Sequence, residues 1–164
     1  MSRTPHAARA GRLALLGVLS MLAACGAPTS GQLTVTIQPS QQINPNSENQ
    51  PSPVVLRVYD LKGTDYFTSA PFAELYPTES AKFGPDMLGR REVFVEPGKP
   101  LTLTEAMPPQ TTAIGILVAF RSLDNAVWRM TLPVEWDSDT SVTLLLSAHA
   151  VSQAPPSSGF LGLF

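Results

Sequence analysis

The feature that most constrains this chain is a period-2 alternation that keeps returning in short runs. Leu33, Val35 and Ile37 alternate with Thr34, Thr36 and Gln38. Successive side chains of an extended strand point to opposite sides, so this pattern buries one face and wets the other. "VVLRVYDL" repeats it, with Val54, Leu56 and Val58 on one face and Val55, Arg57 and Tyr59 on the other. "REVFVE", "PLTLTE" with Leu101 and Leu103 inward, "AIGILVAF" with Ile114, Ile116, Val118 and Phe120 in register, "AVWRMTLPV" and "VTLLLSA" follow. Pro, Gly, Asn and Asp stand between them: Pro97 and Gly98 mark a turn in "VEPGKP", and "SLDNAVW" reads as a hairpin. About seven or eight short strands without long helical periodicity predict an all-β, two-sheet β-sandwich.

One stretch breaks the alternation. Between Asp65 and Leu88 the apolar residues fall at Phe67, Phe72, Leu75, Tyr76, Phe83, Met87 and Leu88. Ser69 is read as capping a short helix that Pro77 ends near Tyr76. The expectation is a helical insertion over about 65–88, one or two short helices whose aromatics dock on an edge or end of the sandwich.

The amino terminus is of another kind. Arg3, Arg9 and Arg12 precede the apolar run "LALLGVLSML", which leads into Leu22-Ala23-Ala24-Cys25. A positive start, an apolar run too short to span a bilayer and small residues before a cut describe an export signal over 1–24. The order of these residues reads as a lipobox: cleavage after Ala24 would free Cys25, which carries a thioether-linked diacylglycerol and an N-acyl chain. Several acyl chains at about 0.8 kcal/mol per buried CH₂ make a firm anchor. The other reading is an ordinary signal that leaves a chance cysteine behind. Gly26 stands where an Asp retains many bacterial lipoproteins at the inner membrane, which favours the inner leaflet of the outer membrane.

Cys25 is the one cysteine, so no internal disulfide can form and the fold rests on its core. Of 11 basic residues three leave with the signal, so eight remain against 13 acidic ones, a net charge near −5. That balance argues against nucleic acid. The remaining length, about 140 residues, suits one domain. Its organisation is read as a flexible lipid tether over 25–31, a sandwich over 32–150, and a Pro/Ser/Gly linker with an apolar tail over 151–164. Two readings of the tail "GFLGLF" stand side by side: terminal disorder, or a short sticky peptide for a membrane or partner.

Little in the chain points to catalysis. After the signal it holds one histidine, His149, read as a plain strand or surface residue, and no G-x-S-x-G turn, Walker loop or dinucleotide fingerprint. With one His and a lipidated Cys, no zinc ligand set can be assembled. Glu135, Asp137 and Asp139 alternate in "EWDSDTS" but lack the glycine and distal glutamate of a calcium loop, and are read as a solvated turn. Arg90-Arg91 is read as a charged strand entrance, with a docking patch as the alternative.

The segment "INPNSENQPSPVVLRVYDL" runs an Asn/Pro/Ser-rich loop directly into a strand. Pro45, Pro51 and Pro53 each fix φ and restrict the residue before, so the loop is stiffer than a linker. Together with "YFTSAPFAELY", "FGPDMLGRREVFVEPGKPLTL" and "AIGILVAFRSLDNAVWR", in this order and covering most of Leu33 to Arg129, it resembles the TssJ family of type VI secretion outer-membrane lipoproteins, also called VasD/Lip.

The resemblance implies a transthyretin-like sandwich with added helices, tethered by lipid and facing the periplasm. It implies binding to the periplasmic C-terminal part of TssM and, through it, a link to TssL. It also implies that the loop joining the first two strands, here Pro39 to Ser52, holds TssM. The candidate contact residues are Ile43, Asn44, Pro45, Asn46, Ser47, Glu48, Asn49, Gln50, Pro51 and Ser52. A restricted loop loses less entropy on docking, and neutral Asn, Gln and Ser side chains avoid the desolvation cost of charge. No metal, soluble cofactor or small-molecule substrate is expected. The alternative is a periplasmic ligand-binding lipoprotein unrelated to secretion, which would need a concave apolar pocket.

Overall fold

The computed structural model describes residues 29–77 and 82–155. The signal over 1–24, the lipidation site Cys25 and the apolar tail from Phe160 lie outside the described residues. Each alternating run forms a strand: β1 (Gln32–Pro39), β2 (Val54–Leu61), β3 (Met87–Val95), β4 (Leu101–Ala106), β5 (Ala113–Val118), β6 (Arg129–Pro133), β7 (Thr140–Leu146) and β8 (Val151–Gln153). Helices α1 (Asp65–Ser69) and α2 (Phe72–Leu75) and a 3₁₀ turn at Gly84–Asp86 lie between β2 and β3.

The strands make two four-stranded sheets, ordered β4-β1-β7-β8 and β3-β2-β5-β6. All pairs are antiparallel except β1 with β7. The expected alternation decides the packing. Leu33, Val35 and Ile37 of β1, Leu56 and Val58 of β2, Ile114, Ile116 and Val118 of β5, and Leu144 and Leu146 of β7 meet between the sheets in one aliphatic core. The result is the all-β sandwich that the periodicity predicts.

A second cluster covers the outer face of the β3-β2-β5-β6 sheet. Tyr59, Phe67, Leu75, Phe83 and Leu117 are buried in it, with ring centroids 5.3 Å apart for Tyr59–Phe67 and 5.5 Å for Tyr59–Phe83. The insertion therefore docks on a sheet face, not on an edge or end. Gly115 makes this possible: a Cβ there would sit 2.9 Å from Leu61 Cδ1 and 3.0 Å from Phe67 Cζ, so the bare backbone admits the ring. Burying such a ring contributes about 1.5–3 kcal/mol. β5 is consequently buried on both faces along its whole length, although its sequence also alternates.

Two arginines on the same outer face hold the insertion by its carbonyls. Arg129 Nη1 donates to Phe67 O at 3.0 Å and to Ala70 O at 2.6 Å, and its guanidinium lies over Trp128. Arg57 donates through Nη1 to Tyr76 O and through Nε to Glu92, and lies over the Tyr76 ring at 4.3 Å. Each thus satisfies carbonyls that helices of one turn leave unpaired. Burial pushes the Tyr59 phenol up, so the ring enters the cluster as the neutral form.

Four boundaries differ from the sequence reading. The helix that ends near Tyr76, α2, is preceded by Pro71 and not capped by Ser69; Ser69 is the last residue of α1, and its hydroxyl donates back to Asp65 O. The insertion ends sooner, because Met87 already pairs with Leu61 as the start of β3, after a register shift at Asp60/Leu61. The sheet also runs past 150, since Val151 to Gln153 pair with Leu146 to Leu144 and Val151 packs in the core. At the other end Gly31 is already fixed: its N–H donates to Trp136 O, and its carbonyl accepts from Met107 N–H. A Cβ there would fall 2.3 Å from the Ser138 backbone, so the last residue of the expected tether belongs to the domain.

Candidate functional site

The two ends of the sandwich differ. The chain enters at one end through Gly31, and β1 carries it directly to the other, where the segment 40–53 crosses to β2. The residues 119–128 between β5 and β6 and the turn 147–150 between β7 and β8 lie at that same end.

The 40–53 loop is built in two tiers. At its base Ile43 is fully buried in the aliphatic core, and Ser52 N–H donates to Ile43 O, closing the neck. Asn44, 3% exposed and at φ 48°, is the knot. Its Nδ2 donates to Pro53 O at 2.8 Å, its N–H to Ala148 O at 3.1 Å, and its Oδ1 accepts from Arg121 N–H at 2.7 Å. One residue thus joins the three loops, through its side-chain amide to Arg121 and its backbone N–H to Ala148, using the tolerance of asparagine for left-handed backbone.

Above the knot, Asn46 organises the tip. Its Oδ1 accepts from Glu48 N–H at 3.0 Å and Gln50 N–H at 2.9 Å, while its own N–H donates to Gln50 O. Such an Asx arrangement replaces backbone turn bonds. The stiffness inferred from prolines is therefore reinforced by two asparagine side chains.

Of the ten candidate contact residues, the structure exposes Ser47, Glu48, Asn49, Gln50 and Pro51 and half-exposes Pro45 and Asn46. Ile43, Asn44 and Ser52 turn inward, where they hold the loop and have no free surface for a partner. Conversely, three residues outside that set join the exposed ones. Pro45, Asn46, Ser47 and Asn49 line an open groove of about 610 Å³ together with Arg121, Ser122 and His149. No local pattern marks Arg121 or His149; they arrive because Asn44 bonds to both their loops.

The remaining motifs fall elsewhere. Arg91 is committed internally, with its two terminal nitrogens 2.8 and 2.9 Å from the oxygens of Asp60, which is fully buried, and Nη1 3.0 Å from Glu105 Oε2. It is thus no docking patch. In "EWDSDTS" Asp139 Oδ1 accepts from Gln32 N–H, and Glu135 O accepts from Ser138 N–H, as a turn requires. Among the described residues no three His, Cys, Asp or Glu side chains gather as metal ligands. An apolar opening lined by Leu33, Ile114, Leu132 and Val142 measures about 210 Å³, below the roughly 300–1,000 Å³ of ordinary small-molecule sites.

Residues 31–149 match the family model described as "Type VI secretion lipoprotein, VasD, EvfM, TssJ". Among solved structures, the chain superposes on the T6SS lipoprotein TssJ1 of Pseudomonas aeruginosa with TM-score 0.72 at 26% identity, over 77% of this chain and 98% of that one. It superposes on Lip of Serratia marcescens, described as a membrane bound component of the Type VI Secretion System, with TM-score 0.73 at 20% identity, over 80% and 100%. A chain in the structure described as the T6SS protein TssM C-terminal domain (869–1107) from EAEC gives TM-score 0.64 at 24% identity, over 76% and 98%. The last two likenesses speak for the fold alone. No curated protein matches the chain.

Proposed function

The chain belongs to the TssJ/VasD family of type VI secretion lipoproteins, and from that premise we propose that it ties the outer membrane to the periplasmic C-terminal part of TssM and, through TssM, to TssL. In this reading lipid on Cys25 holds one end, the exposed tip Ser47–Gln50 holds the other, and no chemistry is catalysed.

The observation that carries the reading is the course of β1. It begins one residue after Gly31 and ends at the partner loop, so its eight residues separate the point where the domain begins from that loop by about 26 Å at roughly 3.3 Å per residue. β1 is hydrogen-bonded on both sides, to β4 and β7. A pull between its ends loads those ladder bonds together in shear, and they must yield collectively. A tether needs that property, and neither attachment has to deform the core.

The TssM-related structure adds support. The matched span there covers nearly all of a chain too short to be the 869–1107 segment, so a sandwich of this shape accompanies the named domain.

The test uses the full chain. Membrane fractionation of Cys25→Ala should find the protein released from outer membranes yet still binding the TssM periplasmic domain. Replacing Ser47–Gln50 should leave the protein in the membrane and abolish binding. Outer-membrane retention of Cys25→Ala, or unchanged binding by the tip replacement, would overturn the corresponding half.

A further inference from the structure

The groove at the loop end is unevenly supplied with hydrogen-bonding groups. Arg121 uses only its backbone N–H, given to Asn44; among the described residues its guanidinium has no hydrogen bond or ion pair. Asn46 has both acceptor positions of Oδ1 filled by backbone N–H groups, which leaves Nδ2, a donor, as its free end. Ser122 and His149 complete that side, and no carboxylate lines the groove. Glu48 and Asp124 are exposed on the same loops but outside the lining. In a mature chain with eight basic against 13 acidic residues, the groove thus holds, among the described residues, one guanidinium without a hydrogen bond or ion pair and no carboxylate in its lining.

Resting on the partner reading of this end, we propose that the groove receives an acidic stretch of the bound polypeptide, one of whose carboxylates pairs with the Arg121 guanidinium. Five fixed N–H donors with no acceptor are complemented by a planar anion, and Arg–carboxylate pairs satisfy two of them at once. The groove is wide and open, which fits an extended segment laid across it. Its position also chooses among anions. The Ser47–Gln50 tip proposed to hold the partner borders the groove, so a partner's Asp or Glu is the anion this spot meets.

The experiment measures the affinity of the mature chain for the TssM periplasmic domain between about 50 and about 500 mM NaCl, over which the screening length falls below about 5 Å. Arg121→Glu should weaken binding at least about tenfold at low salt and converge on wild type at high salt, since an exposed interfacial charge acts mainly through salt-sensitive association. Arg121→Gln should show a smaller loss, and Arg121→Lys should retain most of the affinity. Melting of all three should be unchanged, because the exposed side chain makes no hydrogen bond or ion pair among the described residues. Equal affinity and salt dependence for Arg121→Glu and wild type would overturn the proposal, as would a loss independent of salt. If the Ser47–Gln50 replacement abolishes binding while Arg121→Glu does nothing, this inference falls and the tip reading stands. If neither alters binding, both fall.

Discussion

The two ends of the sandwich are closed by different chemistry, and the difference separates a locked end from a displaying one. At the tether end the closure is ionic: Asp60, fully buried, pairs with Arg91, which also reaches Glu105 on the facing sheet. Gly31 has both backbone groups bonded there as well. At the loop end the buried side chain is a neutral amide, Asn44, which bonds to backbone groups of two loops. Because Asn44 and backbone bonds such as Val127 N–H to His149 O join the loops, the Arg121 guanidinium stays uncommitted. Locking consumes polar groups, and display requires a surplus of them.

The sharpest way to break the comparison is to exchange one arginine at each end for methionine. Arg91→Met strands the Asp60 carboxylate inside the fold and should cost about 3–5 kcal/mol in urea unfolding, as removal of one partner from a buried pair does. Arg121→Met should stay within about 0.5 kcal/mol of wild type. Equal losses would erase the distinction between the ends.

A smaller effect is expected at the knot. Asn44→Ala leaves Arg121 N–H and Pro53 O without their partner and should destabilise by about 1–3 kcal/mol. Hydrogen exchange should increase in 40–53 and at Arg121 together. An increase confined to 40–53 would mean that the loops are held separately.

The smallest effect on stability is expected at the tip. Gln50→Ala should change unfolding by less than about 0.5 kcal/mol while weakening TssM binding. A loss of stability comparable to that of Asn44→Ala would show that the tip, too, is structural.

The strands were legible because period 2 records one-sided burial residue by residue, as Val35 against Thr36 shows. Where burial has a second cause the record fails. β5 alternates in sequence yet is covered twice, since Phe67 lies on Gly115, and no local signal tells that Arg57 and Arg129 will clasp helical carbonyls from across the sheet. The start of β3 at Met87 was hidden for a similar reason: its pairing with Leu61 is a long-range fact, whereas its apolar side chain read as part of the insertion. At the site, the Asn/Pro/Ser texture pointed to the right loop but could not separate Asn44, turned inward as a knot, from Asn49, left outside. Arg121 stands 77 positions from Asn44, and only the folded chain brings them together.

In the proposed arrangement, attachment to the membrane and attachment to the partner sit at opposite ends of β1 and act independently. The most direct measurement is the affinity of the TssM periplasmic domain for three versions of the mature chain: wild type, Cys25→Ala, and one with Ser47–Gln50 replaced. The account predicts equal affinity for the first two and a loss of at least about tenfold, or 1.4 kcal/mol, for the third with its melting temperature unchanged. A tip replacement that binds as tightly as wild type would contradict it.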